Sequence, residues 1–208
     1  TSGRVHLDTF AGGMHSDDGG LTWVWDGLPN IYGIDPENPL LMLGHSGQGL
    51  RRSTDGGTSW QDANTGIRQV IVDEVGGNHK FPEVVYVSTH RGFARSLDGG
   101  SSWDFPILQS STRGFAVSPL TSQMLYVGDA GVPWVHISRD SGDTWQDVLI
   151  TTTQSTIQSV AVDPLTPVTI YAGLSSRVGD PASDTSRDGL YVSSDDGLTW
   201  ARAGLPGE

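Results

Sequence analysis

The chain has 208 residues, no cysteine, a net charge of −12 and a pI of about 4.6. Zero cysteine excludes disulfides and thiolate metal sites. The acidic balance disfavours nucleic acid and anionic membrane surfaces, which need basic patches, and no apolar run approaches the ~20 residues of a membrane span.

Residues 4–10, 13–17 and 22–26 read as three short strands, in the order B, C, D of a repeat unit. Residues 31–36 then form an apolar stretch closed by Pro36, strand A of the next unit. A β-branched and aromatic run follows at 40–44 (strand B), and strand C begins near Gly49 and Leu50. The same succession returns, with strand A at 114–119 and 159–164 and strand B at 84–88, 124–128 and 169–173. No segment keeps a 3.6-residue apolar period over ten residues, so the prediction is all-β. The units fall at about 1–30, 31–66, 67–112, 113–155 and 156–208. They give nineteen strands, with no strand A ahead of the first unit.

One phrase punctuates these units. Ser16-Asp17-Asp18-Gly19-Gly20-Leu21-Thr22-Trp23 recurs at 53–60, 96–103, 138–145 and 193–200, always as S-x-D-x-G-x-[ST]-W. The closing tryptophans lie 37, 43, 42 and 55 residues apart. A period near forty residues with strand-like flanks means a repeat architecture, and four antiparallel strands per repeat is the pattern of a β-propeller. The phrase falls at the C–D turn. Asp18, Asp55, Asp98, Asp140 and Asp195 are placed to accept hydrogen bonds from turn amides. Trp23, Trp60, Trp103, Trp145 and Trp200 are expected to open strand D and pack between blades.

The octapeptide resembles the Asp-box, or BNR repeat, of sialidases, sortilin-type receptors, the xyloglucanase family of glycoside hydrolases, and photosystem II assembly and stability factors. The resemblance covers nearly the whole chain. It implies a β-propeller with the box turns on the outer side. It does not imply one activity, because these families share the box and differ in function. The sialidase pattern is incomplete: no Arg-Ile-Pro segment stands ahead of the first box. The cysteine-rich module of sortilin-type receptors has no counterpart here.

Propeller ligands gather where the B–C and D–A turns meet the axis. His45, His90, Arg91, Asp129, Trp134 and Arg113 are the candidate ligand-binding residues there, with Arg68 beside them. Against this stands the plain reading of solvated loop residues. A glycosidase needs two carboxylates about 5 Å or 6.5–9.5 Å apart, and Asp8 with Asp129 is the candidate catalytic pair. Asp180, Asp184 and Asp188, in the insertion at 178–190, offer oxygen ligands for Ca²⁺, but the spacing is not that of an EF-hand. No metal site and no cofactor is expected.

The missing strand A leaves three readings: part of a larger propeller, a blade completed by a strand from a second copy, or a five-bladed ring with one three-stranded blade. One lysine against eleven arginines, with the habit of the related families, favours an extracellular or periplasmic or lumenal place. The resulting expectation is a non-catalytic scaffold that binds a protein or glycan and self-assembles. The alternative is one lobe of a secreted glycoside hydrolase.

Overall fold

A computed structural model describes residues 4–9, 12–28, 30–34, 38–46, 49–67, 71–78, 80–152, 155–176 and 188–204. These residues hold nineteen strands and no helix. The first sheet has three strands among the described residues: β1 (Val5–Thr9), β2 (Gly12–Ser16) and β3 (Val24–Leu28). The second is β4 (Asn30–Ile34), β5 (Met42–Ser46), β6 (Gly49–Ser53) and β7 (Gln61–Asp62). The third is β8 (Val72–Gly77), β9 (Val85–Thr89), β10 (Gly92–Ser96) and β11 (Asp104–Leu108). The fourth is β12 (Thr112–Val117), β13 (Leu125–Asp129), β14 (Trp134–Ser138) and β15 (Gln146–Leu149). The fifth is β16 (Ser155–Val162), β17 (Ile170–Ser176), β18 (Gly189–Ser193) and β19 (Ala201–Arg202).

Every sheet is an antiparallel meander in chain order. The first strands of the four-stranded sheets pack on one another in succession, β4 on β8, β8 on β12 and β12 on β16. They therefore line the axis of a β-propeller, as the repeat predicts.

The octapeptide turns share one hydrogen-bond scheme. In the second, Ser53 Oγ donates to Asp55 Oδ1 at 2.8 Å and accepts from the Gly57 amide at 2.8 Å. Asp55 Oδ1 also accepts from the Ser59 amide, and Oδ2 from the Ser59 hydroxyl at 2.6 Å. The same bonds recur from Ser16 and Asp18, Ser96 and Asp98, Ser138 and Asp140, and Ser193 and Asp195. The glycine at Gly57 needs φ of +84°, open to glycine at no steric cost.

The tryptophans stand one residue ahead of the outer strand and do not open it: Trp60 precedes β7 and Trp145 precedes β15. The indoles of Trp23, Trp60, Trp145 and Trp200 fold back to donate to the turn glycine's carbonyl at 2.9–3.1 Å, and that of Trp145 also donates to Ile107 O in the preceding blade at 2.9 Å. Trp103 donates instead to Ala63 O in the preceding blade, at 2.9 Å.

The core is a series of seams between blades. Leu43, Leu50 and Ile67 meet Val85, Val87 and Trp103. Tyr86 and Phe93 meet Phe115, Leu125 and Val127. Tyr126, Val135 and Ile137 meet Ile157, Ile170 and Tyr191. A lone blade buries neither face, so each depends on its neighbours.

Candidate functional site

The inner strands carry a recurrent irregularity. The register of β8 on β9 shifts between Val72 and Glu74, of β12 on β13 between Thr112 and Phe115, and of β16 on β17 between Ile157 and Ser159. A shift between Ile31 and Gly33 marks β4. A bulge of this kind leaves a residue outside the ladder and re-aims its side chain. In the third, fourth and fifth blades that residue is Asp73, Arg113 and Gln158.

These three side chains form a polar wall along the axis. Arg113 Nη1 donates to Gln158 Oε1 at 2.7 Å, and Gln158 Nε2 donates to Thr156 Oγ1 at 2.7 Å. Gln158 is thus held at both ends and fixes the guanidinium. Asp73 is exposed, and partial desolvation by its surroundings pushes its carboxyl above its ordinary value, against the pull of Arg113 and His90. Glu74 beside it is likewise raised by burial, while its Oε2 accepts from the Phe115 amide at 2.9 Å. Sequence reading missed Asp73, Glu74 and Gln158.

His90 and Arg91 occupy the exposed turn between β9 and β10. The Ile71 amide donates to His90 Nδ1 at 3.0 Å, and the Arg91 amide to Thr89 Oγ1 at 3.1 Å. His90 and Arg113 therefore converge electrostatically on Asp73. His45 lies inside β5, opposite Asn30 and Leu50, and not in a turn. Asp8 pairs with Gly13 through the β1–β2 ladder, and its side chain lies outside the described residues. So do Arg68 and residues 177–187, which hold most of the acidic insertion. Asp188 is described, and Ser176 Oγ donates to its Oδ1 at 2.6 Å. Among the described residues no cluster of three metal-ligating side chains occurs.

Asp129 ends β13 and is 5% exposed. Its Oδ1 accepts from the amides of Gly131 and Val132, and its Oδ2 from Ser110 Oγ and from His136 Nε2, the last at 3.3 Å. Burial raises this carboxyl, but the bonds from His136, Ser110 and the two amides outweigh it and hold the pKa at about 2. A general acid needs the opposite shift. His136 is 4% exposed, and its Nδ1 lies 2.7 Å from Asp147 Oδ1. The turn that Asp129 organises leads into Trp134, 39% exposed at the start of β14.

At the opposite end, near the box turns, a groove of about 480 Å³ lies between the third and fourth blades. Phe81, Leu97 and Leu120 line it, and Lys80 Nζ donates to Leu120 O at 2.8 Å.

No family model matches the chain, and no curated protein does. Solved structures match. The GH74 enzyme of Niastella koreensis aligns at a TM-score of 0.70 and 18% identity, over 91% of this chain and 33% of that one. The GH74 xyloglucanase of Xanthomonas campestris aligns at 0.68 and 19%, over 93% and 34%. YCF48 bound to a D1 peptide aligns at 0.57 and 16%, over 91% and 60%. The chain thus spans about a third of the two GH74 chains and 60% of the peptide-bound YCF48 chain. At these identities the likeness is one of fold: the chain is a β-propeller similar to those of GH74 xyloglucanases and YCF48.

Proposed function

We propose that the chain is a non-catalytic binding propeller that recognises a protein segment or a glycan at the axial end. One observation carries this reading. The box turns at the outer end are spelled almost alike in every blade, as packing requires, whereas one bulge position on three successive inner strands holds Asp73, Arg113 and Gln158. The fold does not demand that variety, and a ligand does. His90, Arg91 and Trp134 extend the face. The YCF48 structure with a bound peptide supports a propeller of this kind as a protein binder. Composition and the resemblance to exported families favour an extracellular or periplasmic place. The edge of β1, which among the described residues pairs only with β2, is where a strand from a second copy would add.

The test is calorimetry of the purified chain against hits from peptide and glycan arrays, with light scattering of the same sample. Arg113→Ala should weaken the best hit about 10- to 100-fold, the range of one charge-assisted hydrogen bond. Binding indifferent to Arg113, His90 and Trp134 alike would sink the axial site.

A second reading, one lobe of a secreted glycoside hydrolase, is favoured by the raised Asp73 and Glu74 carboxyls, the direction a general acid needs. Release of reducing sugar from xyloglucan, lost in Asp73→Asn or Glu74→Gln, would establish it over the first.

A further inference from the structure

Asp129, His136 and Asp147 form a chain across three strands of the fourth blade, with Ser110 closing it from the preceding segment. His136 stands opposite Asp147 in the β14–β15 ladder. Its Nδ1 meets Asp147 Oδ1 at 2.7 Å and its Nε2 meets Asp129 Oδ2 at 3.3 Å. Ser110 Oγ already donates to Asp129 Oδ2, and the carboxylates offer only acceptors. Both ring nitrogens are satisfied only when both carry a proton, so the geometry selects the imidazolium.

The repeat supplies an internal control. Two residues before the box serine and two after the box tryptophan, the second blade has Arg51 and Asp62, joined at 2.7 Å. The fourth blade has His136 and Asp147 at those positions. A permanent cation in one blade is replaced by a titratable one in another, and there it is buried.

We infer that Ser110, Asp129, His136 and Asp147 form a proton-operated latch on the binding face: the charged ring clamps the turn that carries Trp134, and loss of its proton loosens that turn. The inference rests on the proposed binding role of that face. The latch reaches the turn through Asp129, whose Oδ1 holds the amides of Gly131 and Val132. Two further bonds complete the turn, from the Ala130 amide to Ser111 O and from the Ile150 amide to Pro133 O. The titratable groups that act on the ring are Asp129 and Asp147. Burial lowers the His136 pKa, but these carboxylates outweigh it and leave it raised. The latch is therefore closed below the ordinary imidazole value of ~6.5 and opens as pH rises through the folded value.

The experiment follows the histidine ring resonances of the free chain by NMR between pH 5 and pH 9, with His136 assigned by its loss in His136→Gln. The His136 midpoint should lie above ~6.5 and fall by about one unit in Asp147→Asn, a half-exposed site whose loss spares the core. The emission of Trp134, taken as wild type minus Trp134→Phe, should move with the same midpoint. A His136 midpoint at or below ~6.5, or Trp134 emission that ignores it, overturns the latch. No ligand enters this measurement. A failed ligand screen beside an intact titration would sink only the binding reading, and the reverse result only the latch.

Discussion

Arg52 of the second blade donates from Nε to the carbonyl of Gly99 in the third, at 2.8 Å. One blade on, Arg95 repeats the bond, with Nη1 on Ser141 O at 2.9 Å and on Asp143 Oδ1 at 2.9 Å. Each arginine stands directly before its box serine and holds the next blade's turn. At the following seam the position is Ile137, which packs under Gly197: a Cβ there would lie 2.8 Å from Ile137 Cδ1. The seam is closed by charge twice and by apolar contact once.

Arg95→Ala should therefore destabilise by about 2 kcal/mol, through hydrogen bonds to a charged group and the packing of a stem that is mostly buried. Arg95→Met restores the stem alone and should fall between. Urea unfolding monitored by circular dichroism measures both. Equal stability of all three proteins would mean the staple contributes nothing.

The box carboxylates make the fold sensitive to acid. The Ser59 hydroxyl and amide and the Ser53 hydroxyl lower the Asp55 pKa from 3.8 to about 2. The equivalent bonds hold Asp140 and Asp195 at about 2, and Asp18 and Asp98 are lowered too. A carboxyl depressed on folding contributes stability above its unfolded pKa and loses it as pH falls through the folded value. Stability should thus decline between pH 3.8 and about 2. Asp140→Asn, which does not titrate, should flatten that decline. Thermal melts at stepped pH give the slope, and a midpoint flat from pH 5 to pH 2 would contradict the scheme.

Much of this turn was legible in the sequence, because serine, aspartate and glycine act within eight residues. The meander was legible too, since each strand is bounded by its own turn residues. The axial wall was not. An extra residue shifts the apolar alternation by one, but in strands of six to eight residues that break does not stand out, so Asp73-Glu74 reads as a solvated acidic pair and Gln158 as filler. Asp129 and Arg113 are singled out in the sequence by their places in the turns expected near the axis, but their partners are not. The tie from His136 to Asp147 depends on cross-strand register, and counting two residues outward from the box serine and tryptophan would have exposed it.

Gly66 separates backbone conformation from close approach. Its φ is +88°, and a Cβ would run into Trp103 O, where the turn after β7 docks on the next blade. Gly19 has φ of +76° and nothing within 4 Å of a Cβ. Gly19→Ala should cost only the left-handed penalty, about 1 kcal/mol, and Gly66→Ala about 3 kcal/mol or more. Chemical denaturation of the two variants tests the difference. A similar cost at both sites would mean the Gly66 turn lifts off Trp103 without penalty.

Phe93 sits where the third and fourth blades meet. It stacks on Tyr86 at 5.7 Å and takes Phe115 and Trp145 edge-on at 5.0 and 5.9 Å. It is fully buried. Phe93→Ala should cost about 4 kcal/mol, a large share of a net stability of roughly 5–15 kcal/mol. The contacts run to both blades, so the loss should not stay local. In a stacked array stability is a sum of unit and interface terms, and weakening one interface can split the transition. Phe93→Leu keeps much of the volume and forfeits the ring geometry, and should cost the smaller part. Calorimetry decides between the two behaviours. One sharp transition in wild type that broadens or divides in Phe93→Ala would show that this seam couples the blades, and a single sharp transition merely shifted would show that cooperativity runs through the other seams.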